Sequence, residues 1–180
     1  EELDHLGSIS EAMILLARVE AGDLKPRRAP TDLGELTSAA LHRVAPRAGG
    51  RTLEFSQSGD LDATLTVDSG MVGVVLDHLL DNAVRHTPAG TRIEASVHAD
   101  AGGATIAVRD TGPGIPDDIL PHLFERFYRG DPARSRTAGA GLGLTVARAI
   151  MDAHAGTITA ANLPGGGFQI TVTLPRPPEL

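Results

Sequence analysis

The sequence of 180 residues contains no cysteine, no tryptophan, a single lysine and no hydrophobic run long enough to cross a bilayer. Without cysteine, the chain cannot form disulfides, thiolate metal sites or a cysteine nucleophile. Its one lysine, Lys25, lies far from any glycine-rich loop, which excludes phosphate sites that need a lysine, such as a Walker A loop. The net charge is −7, so we expect no nucleic-acid partner.

The remaining composition is that of an ordinary globular protein, with 41% hydrophobic and 22% charged residues. A chain of this length can form one compact domain with a small appendage. Because the sequence begins at Glu1 rather than methionine, we expect it to be a piece of a longer protein.

The appendage is predicted at the N-terminus, where apolar residues recur at helical spacing between residues 3 and 21: Leu6, Ile9, Met13 and Leu16. Gly22 and Pro26 then end the helix. Such a stripe packs either on its own domain or in a bundle with other helices. The proline-containing link that follows favours the bundle, so we divide the chain into residues 1–25, a partial helical domain, and residues 26–180.

The second unit is predicted to mix helices and strands. Helices are expected at Leu33–Val44, with Asp32 as N-cap and Glu35 as its capping-box partner, from Asp68 to just before Pro88, over residues 116–128, and from the glycines near 143 to His154. Strands are expected at 51–56 and 63–67, which we interpret as a hairpin, and at 92–99, 104–110, 157–161 and 168–174. At the helix C-terminus the dipole favours a cationic His154.

The stretch Asp110–Ile115 has the pattern Asp-x-Gly-x-Gly and follows a run of β-branched residues directly. Asp110 is therefore expected at a strand end that faces a cavity. Gly112 and Gly114 allow backbone conformations that a Cβ would block. Taken alone, the pattern is compatible with either a tight strand-to-helix turn or a nucleotide pocket.

The helix from Asp68 carries polar residues three and four positions apart, which places His78, Asn82 and Arg85 on one face. Such a face is either solvated or lines a site. The amide oxygen of Asn82 suits Mg²⁺, which prefers oxygen ligands and keeps substrate phosphates and water around it.

Three glycines, Gly139, Gly141 and Gly143, open the last helix. The backbone N–H groups and positive dipole end there suit an anion. The spacing is Gly-x-Gly-x-Gly, without the βαβ frame and acidic ribose partner of a dinucleotide site. The glycines therefore fit a triphosphate better than a dinucleotide.

The order of these segments resembles the ATP-binding domain of sensor histidine kinases. The asparagine helix at 78–86, the Asp110 stretch, Phe124-Glu-Arg-Phe-Tyr-Arg and the glycines at 139–144 correspond to the N, G1, F and G2 boxes of that family. Residues 15–22 resemble the end of the second helix of the family's dimerisation and histidine-phosphotransfer domain. The implied fold is an α/β (α+β) two-layer sandwich of Bergerat type, a mixed sheet with helices on one face and an appended N-terminal helix.

The resemblance also implies roles for individual residues. Asp110 resembles the carboxylate that accepts the adenine amino group, and Asn82 the Mg²⁺ ligand. Catalytic or phosphate contacts are implied for Asn82, Arg85, Arg126 and Arg129. The nucleotide pocket would be formed by His78, Asn82, Arg85, His86, Asp110, Gly112, Gly114, Ile115, Gly139, Gly141, Leu142, Gly143 and Leu144.

Two departures from the family pattern limit the expected activity. His78 occupies the place of the first asparagine of the N box, where related hydrolases carry a glutamate. None of the seven histidines lies in a phosphoacceptor motif, so the chain should bind ATP but should not phosphorylate itself. Histidines such as His5, His98 and His122 are expected to be structural.

The resemblance implies further partners and a place in the cell. The longer protein would be a homodimer that passes phosphate to a response regulator, and this chain would be a cytoplasmic domain of a membrane-anchored sensor, monomeric or weakly dimeric alone. Two alternatives stay open. One is a Bergerat-fold ATPase or anti-sigma-factor serine kinase, and the other is a degenerate nucleotide-binding module that only regulates.

Overall fold

The structure is a computed structural model that describes residues 13–15, 17–18, 21, 23–59, 63–125 and 142–176. Residues 13–15 and 17–18 are helical, as predicted for the N-terminal segment. Met13 and Ile14 are exposed, whereas Leu15 packs against the core. Leu6, Ile9, Leu16 and Gly22, which defined the predicted stripe and its end, lie outside the described residues.

A five-stranded mixed sheet forms the centre of the domain. Its strands are β2 (Thr52–Gly59), β4 (Arg92–Asp100), β5 (Gly103–Asp110), β6 (Thr157–Asn162) and β7 (Phe168–Pro175). Their order across the sheet is β2-β4-β5-β7-β6. β2 and β4 run parallel and the other neighbours antiparallel, so the predicted mixed sheet is confirmed.

Three helices pack on the sheet: α1 (Leu33–Val44), α2 (Ser69–His86) and α3 (Gly143–Ala153). Buried residues alternate along β4 and β7, which is the pattern of strands with one covered face. The buried strand side chains and the apolar faces of the helices form one core. This is the two-layer arrangement expected from the sequence.

The predicted starts of α1 and α2 are confirmed. Asp32 caps α1, accepting from Gly34 N at 2.8 Å and from Glu35 N at 3.0 Å. Asp68 caps α2, accepting from Met71 N at 3.0 Å. Both carboxylates satisfy N–H groups that have no partner within the helix.

The predicted hairpin between residues 51–56 and 63–67 is wrong. β3 (Thr64–Val67) pairs antiparallel with β1 (Ala29–Asp32), a strand that was not predicted and that overlaps the end of the proline-containing link, and these two form a separate sheet. β2 pairs with β4 instead, with Thr52 opposite Arg92. A parallel pair needs a crossover, and α2 provides it. Pro30 is tolerated in β1 because a two-stranded sheet has only edge strands.

The predicted helix over residues 116–128 is also wrong in its described part. Residues 116–125 form turns and one short 3₁₀ helix, Leu120–His122. Pro121 lacks the N–H that a continuing α-helix would need. Residues 126–128 lie outside the described part. Within the described residues, no helix is both long and apolar enough to cross a membrane.

Candidate functional site

A small cavity lies between the C-terminal half of α2 and the loop that follows β5. It is lined by Asn82, Ala83, His86, Thr87, Asp110, Pro113, Gly114, Ile115 and Phe168. Five of these are residues that the sequence singled out, from segments nearly thirty positions apart. The cavity therefore joins the predicted N-box helix to the predicted G1 stretch.

Asp110 ends β5 as predicted and is only 5% exposed. Its Oδ1 accepts a hydrogen bond from Gly112 N at 2.8 Å. Burial raises the pKa of this carboxyl, although the backbone N–H groups of Gly112 and Phe168 partly oppose the effect. A buried carboxyl with a perturbed pKa beside a cavity is a typical acceptor for an N–H group of a ligand.

The loop after Asp110 has little freedom. Gly114 has a φ of 76°, in the left-handed region that favours glycine. A Cβ on Gly112 would lie 2.9 Å from Thr87 Cγ2. Asn162, at the end of β6, accepts from Ile115 N at 2.8 Å and donates to Ile115 O at 2.6 Å. The sequence pattern did not reveal Asn162, because it lies 47 positions from Ile115 and carries no local signal.

The predicted polar face of α2 lies partly in the cavity and partly in solvent. His78 and Asn82 are half-buried, and Arg85 is exposed and outside the cavity lining. Burial, with a contribution from Arg85, lowers the pKa of His78, and the carboxylates of Asp77 and Asp81 act in the opposite direction. The predicted face is therefore partly a site and partly a solvated surface.

His86 also lines the cavity. Partial desolvation of its ring, followed by the neighbouring Arg85 charge, lowers the pKa of this imidazole. A neutral ring at this position can pack on a planar ligand without the hydration of a cation.

The predicted phosphate end is described only in part. Gly143 is the first residue of α3, and a Cβ there would lie 3.0 Å from His78 Nδ1. Leu142 is buried and Leu144 half-buried. Thr145, which the sequence did not single out, donates to Glu125 O at 3.2 Å and ties α3 to the start of the F-box segment. Gly139, Gly141, Arg126 and Arg129 lie outside the described residues.

Three other described histidines, His98, His122 and His154, have partners within the fold. His98 Nδ1 lies 3.1 Å from Ser58 Oγ, and His122 Nδ1 lies 2.9 Å from Glu125 Oε1. His154 is buried, and its Nε2 accepts from Asp68 N at 3.1 Å. The predicted helix end at His154 is confirmed, because His154 is the C-cap of α3.

The cavity residues fit a Mg²⁺ ion that arrives with phosphates. Asn82 places a neutral amide beside the cavity, and an amide oxygen is a ligand that Mg²⁺ accepts. The described residues contain no cluster of three or more His, Asp or Glu side chains able to hold a metal on their own. One protein ligand is consistent with Mg²⁺ held mainly by substrate phosphates and water.

Comparison with known proteins identifies the family of this chain. A family model described as histidine kinase-, DNA gyrase B-, and HSP90-like ATPase matches residues 67–178. The chain is 34% identical over 182 residues to the signal transduction histidine-protein kinase AfsQ2 of Streptomyces coelicolor, covering 99% of this chain and 32% of that protein. It is 34% identical over 188 residues to the sensor protein SphS of Synechococcus elongatus, covering 99% of this chain and 46% of that protein.

A solved structure shows the same fold. Full-length ShkA in complex with AMPPNP matches with a TM-score of 0.83 at 30% identity, covering 96% of this chain and 36% of that one. The chain thus spans between 32% and 46% of the length of these two curated relatives.

Proposed function

This chain belongs to the histidine kinase-, DNA gyrase B- and HSP90-like ATPase family, as an ATP-binding catalytic domain of the sensor histidine kinase type, and from that premise we propose how its site is used. ATP binds with Mg²⁺ in the cavity between α2 and the loop after β5. In the longer protein, the γ-phosphate passes to a histidine outside these 180 residues and then to a response regulator.

The observation that carries the proposal is the shared lining of this cavity by Asp110 and Asn82. One is a buried carboxyl that suits the amino group of adenine. The other is an amide that suits a metal ion on a triphosphate. Because both residues line the same cavity, one nucleotide can contact both of them. Its base would lie at the loop after β5 and its phosphates toward Gly143.

The residues of this chain act by binding and orientation. Asp110 accepts the adenine amino hydrogen bond, Ile115 and His86 pack beside the base, and Asn82 would hold the Mg²⁺. When bound, the ion would neutralise phosphate charge. Phosphoryl transfer depends mainly on such positioning and charge neutralisation, with little covalent work for the protein.

The phosphate contacts of Arg85, Arg126 and Arg129 and of the glycines at 139–143 belong to the same proposal. Arg85 is exposed at the end of α2, where it is free to approach a phosphate. Gly143 lies at the N-terminus of α3, whose N–H groups suit an anion.

The division at residue 25 and the assembly of the longer protein are also proposals. Residues 1–25 form the end of a dimerisation hairpin, which makes the longer protein a homodimer and leaves this chain monomeric or weakly dimeric. The proposal rests on the resemblance of residues 15–22 to the end of the second helix of the family's dimerisation domain. The ATP-binding site lies on the cytoplasmic side, because its substrate is cytoplasmic.

The proposal is tested by mixing the chain with γ-labelled ATP, Mg²⁺ and the acceptor helix of the longer protein. Acid-labile phosphate should appear on the helix and not on the chain alone. Asn82→Ala should abolish transfer and Mg²⁺-dependent ATP binding, because it removes the proposed metal ligand. Asp77→Ala is a control on the same helix, since Asp77 lies outside the cavity lining and forms an exposed ion pair with Arg43 at 2.8 Å.

Label on the helix with Asn82→Ala at the wild-type rate would contradict the site assignment. Rapid release of free phosphate by the wild-type chain without an acceptor would identify a hydrolase instead.

A further inference from the structure

The turn between β6 and β7 packs against the loop that the nucleotide base would contact. It is closed by two backbone hydrogen bonds, from Leu163 N to Gly167 O at 3.0 Å and from Gly166 N to Leu163 O at 3.1 Å. Leu163 and Gly167 are flanked by Asn162 and Phe168, which end β6 and begin β7. The turn is therefore a closed unit at the end of the sheet.

One end of the Asp110–Ile115 loop rests on this turn through backbone contact. Asp110 and Phe168 are partners in the β5–β7 ladder. Gly167 has a φ of 101°, and a Cβ there would lie 2.2 Å from Asp110 O. Only glycine allows this approach, so the turn and the base of the loop meet without intervening side chains.

The other end is held by the Asn162 side chain. Its Oδ1 accepts from Ile115 N at 2.8 Å, and its Nδ2 donates to Ile115 O at 2.6 Å and to Asp117 Oδ1 at 3.2 Å. The amide thus uses its acceptor and its donors on one short segment. A Cβ on Gly114 would lie 2.7 Å from Asn162 Oδ1, so glycine is needed for the amide to reach the backbone.

We propose that Asn162 is a positioning residue that sets the base selectivity of the nucleotide site by fixing the backbone of Ile115 relative to Asp110. This inference rests on the proposed function. Asn162 is absent from the cavity lining and acts through the loop. Without the amide, both backbone groups of Ile115 lose their partner, and a loop with two glycines has other conformations to adopt.

The position of the contact predicts which part of the nucleotide is affected. Asn162 holds the segment that would surround the base, whereas Asn82 lies on the helix proposed to bind the metal. Loss of the Asn162 amide should therefore weaken the binding of adenosine and the binding of ATP by the same factor. A defect at the phosphate end would weaken ATP alone.

Titration calorimetry of the 180-residue chain with ATP, adenosine and GTP tests the proposal. Asn162→Ala should lose about 10-fold in affinity for both ATP and adenosine, with a smaller ratio of ATP to GTP affinity. Asn162→Asp keeps the acceptor for Ile115 N but not the donor for Ile115 O, so it should reduce selectivity in the same direction. If Asn162→Ala does not fold, Asn162→Asp alone tests the expected loss of selectivity.

Gln169→Ala is the matched control, since this amide lies on β7 and donates to Thr171 Oγ1 at 3.0 Å, away from the loop. It should bind as the wild type does. Wild-type protein that binds neither ATP nor adenosine would overturn the proposed function and this inference together. Normal wild-type binding with unchanged selectivity in both Asn162 variants, or a loss for ATP alone, would overturn the inference only. Lower stability with unchanged affinity would do the same, because it would show a merely structural role.

Discussion

Two Asp-x-Gly turns lie at opposite ends of β5 and have very different surroundings. Asp100 Oδ1 accepts from Gly102 N at 2.8 Å, and Asp110 Oδ1 accepts from Gly112 N at 2.8 Å. Each is the ordinary turn in which an aspartate bonds to the backbone two residues on. Local chemistry therefore does not distinguish the candidate site from a simple hairpin connection.

Their environments are different. Asp100 is exposed, whereas Asp110 is 5% exposed and shares a cavity with Thr87 and Phe168. Burial raises the pKa of Asp110. Helix α2 and the start of β7 enclose the second turn in a cavity, so packing, and not the motif alone, distinguishes the candidate site.

The largest expected effect is on nucleotide binding. Asp110→Ala should weaken the binding of ATP by about 10–100-fold and remove the preference for ATP over GTP, because a charged hydrogen-bond acceptor for the base is lost. Asp100→Ala should bind both nucleotides as the wild type does. Calorimetric titration measures both variants. Equal losses in the two would mean that the turns are not functionally distinct.

A second difference is expected in stability. A Cβ on Gly112 would lie 2.9 Å from Thr87 Cγ2, and Thr87 cannot turn away because it donates to Ala83 O at 2.7 Å. Gly112→Ala should therefore cost about 1–3 kcal/mol. At Gly102 the nearest atom is the exposed Asp100 Oδ1 at 3.2 Å, so Gly102→Ala should cost less than about 1 kcal/mol.

Urea denaturation of the two glycine variants measures these costs. If Gly102→Ala were as destabilising as Gly112→Ala, the close contact between a Cβ at residue 112 and the Thr87 side chain would not explain the cost.

The smallest effect concerns pH. Because the pKa of Asp110 is raised in the folded state, its ionised form costs stability, and this cost disappears as the pH falls through the raised pKa toward the ordinary value. The free energy of unfolding of the wild type, relative to that of Asp110→Asn, should therefore rise as the pH falls from 7 to 4. Denaturation curves at both pH values check the sign, and a constant or opposite difference would contradict the burial of the charge.

Much of the fold was predictable because its signals are local. Asp32 and Asp68 were predicted as helix caps and act as such, since a cap involves only the next three residues. The strands that became β4, β5, β6 and β7 were also predicted, because β-branched runs bounded by glycine turns are a local signal. For the site, Asp110 and Asn82 could be singled out from motif order alone.

The errors arose where distant segments compete for a partner. The strand at 51–56 was paired with its neighbour in sequence, but it lies beside β4 because α2 crosses between them. Asn162 was missed because its partner, Ile115, is 47 positions away. Neither pairing leaves a trace in local composition.

By itself, the sequence determined most of the helices and strands and pointed to the residues proposed to contact base, metal and phosphate, because these signals depend on neighbours within a few positions. Only the tertiary structure decided which strands pair in parallel and which of the two Asp-x-Gly turns is buried. It also decided that Asn162 forms hydrogen bonds with the loop that follows Asp110. These features depend on which surfaces exclude water together, and that is a property of the packed chain rather than of any one segment.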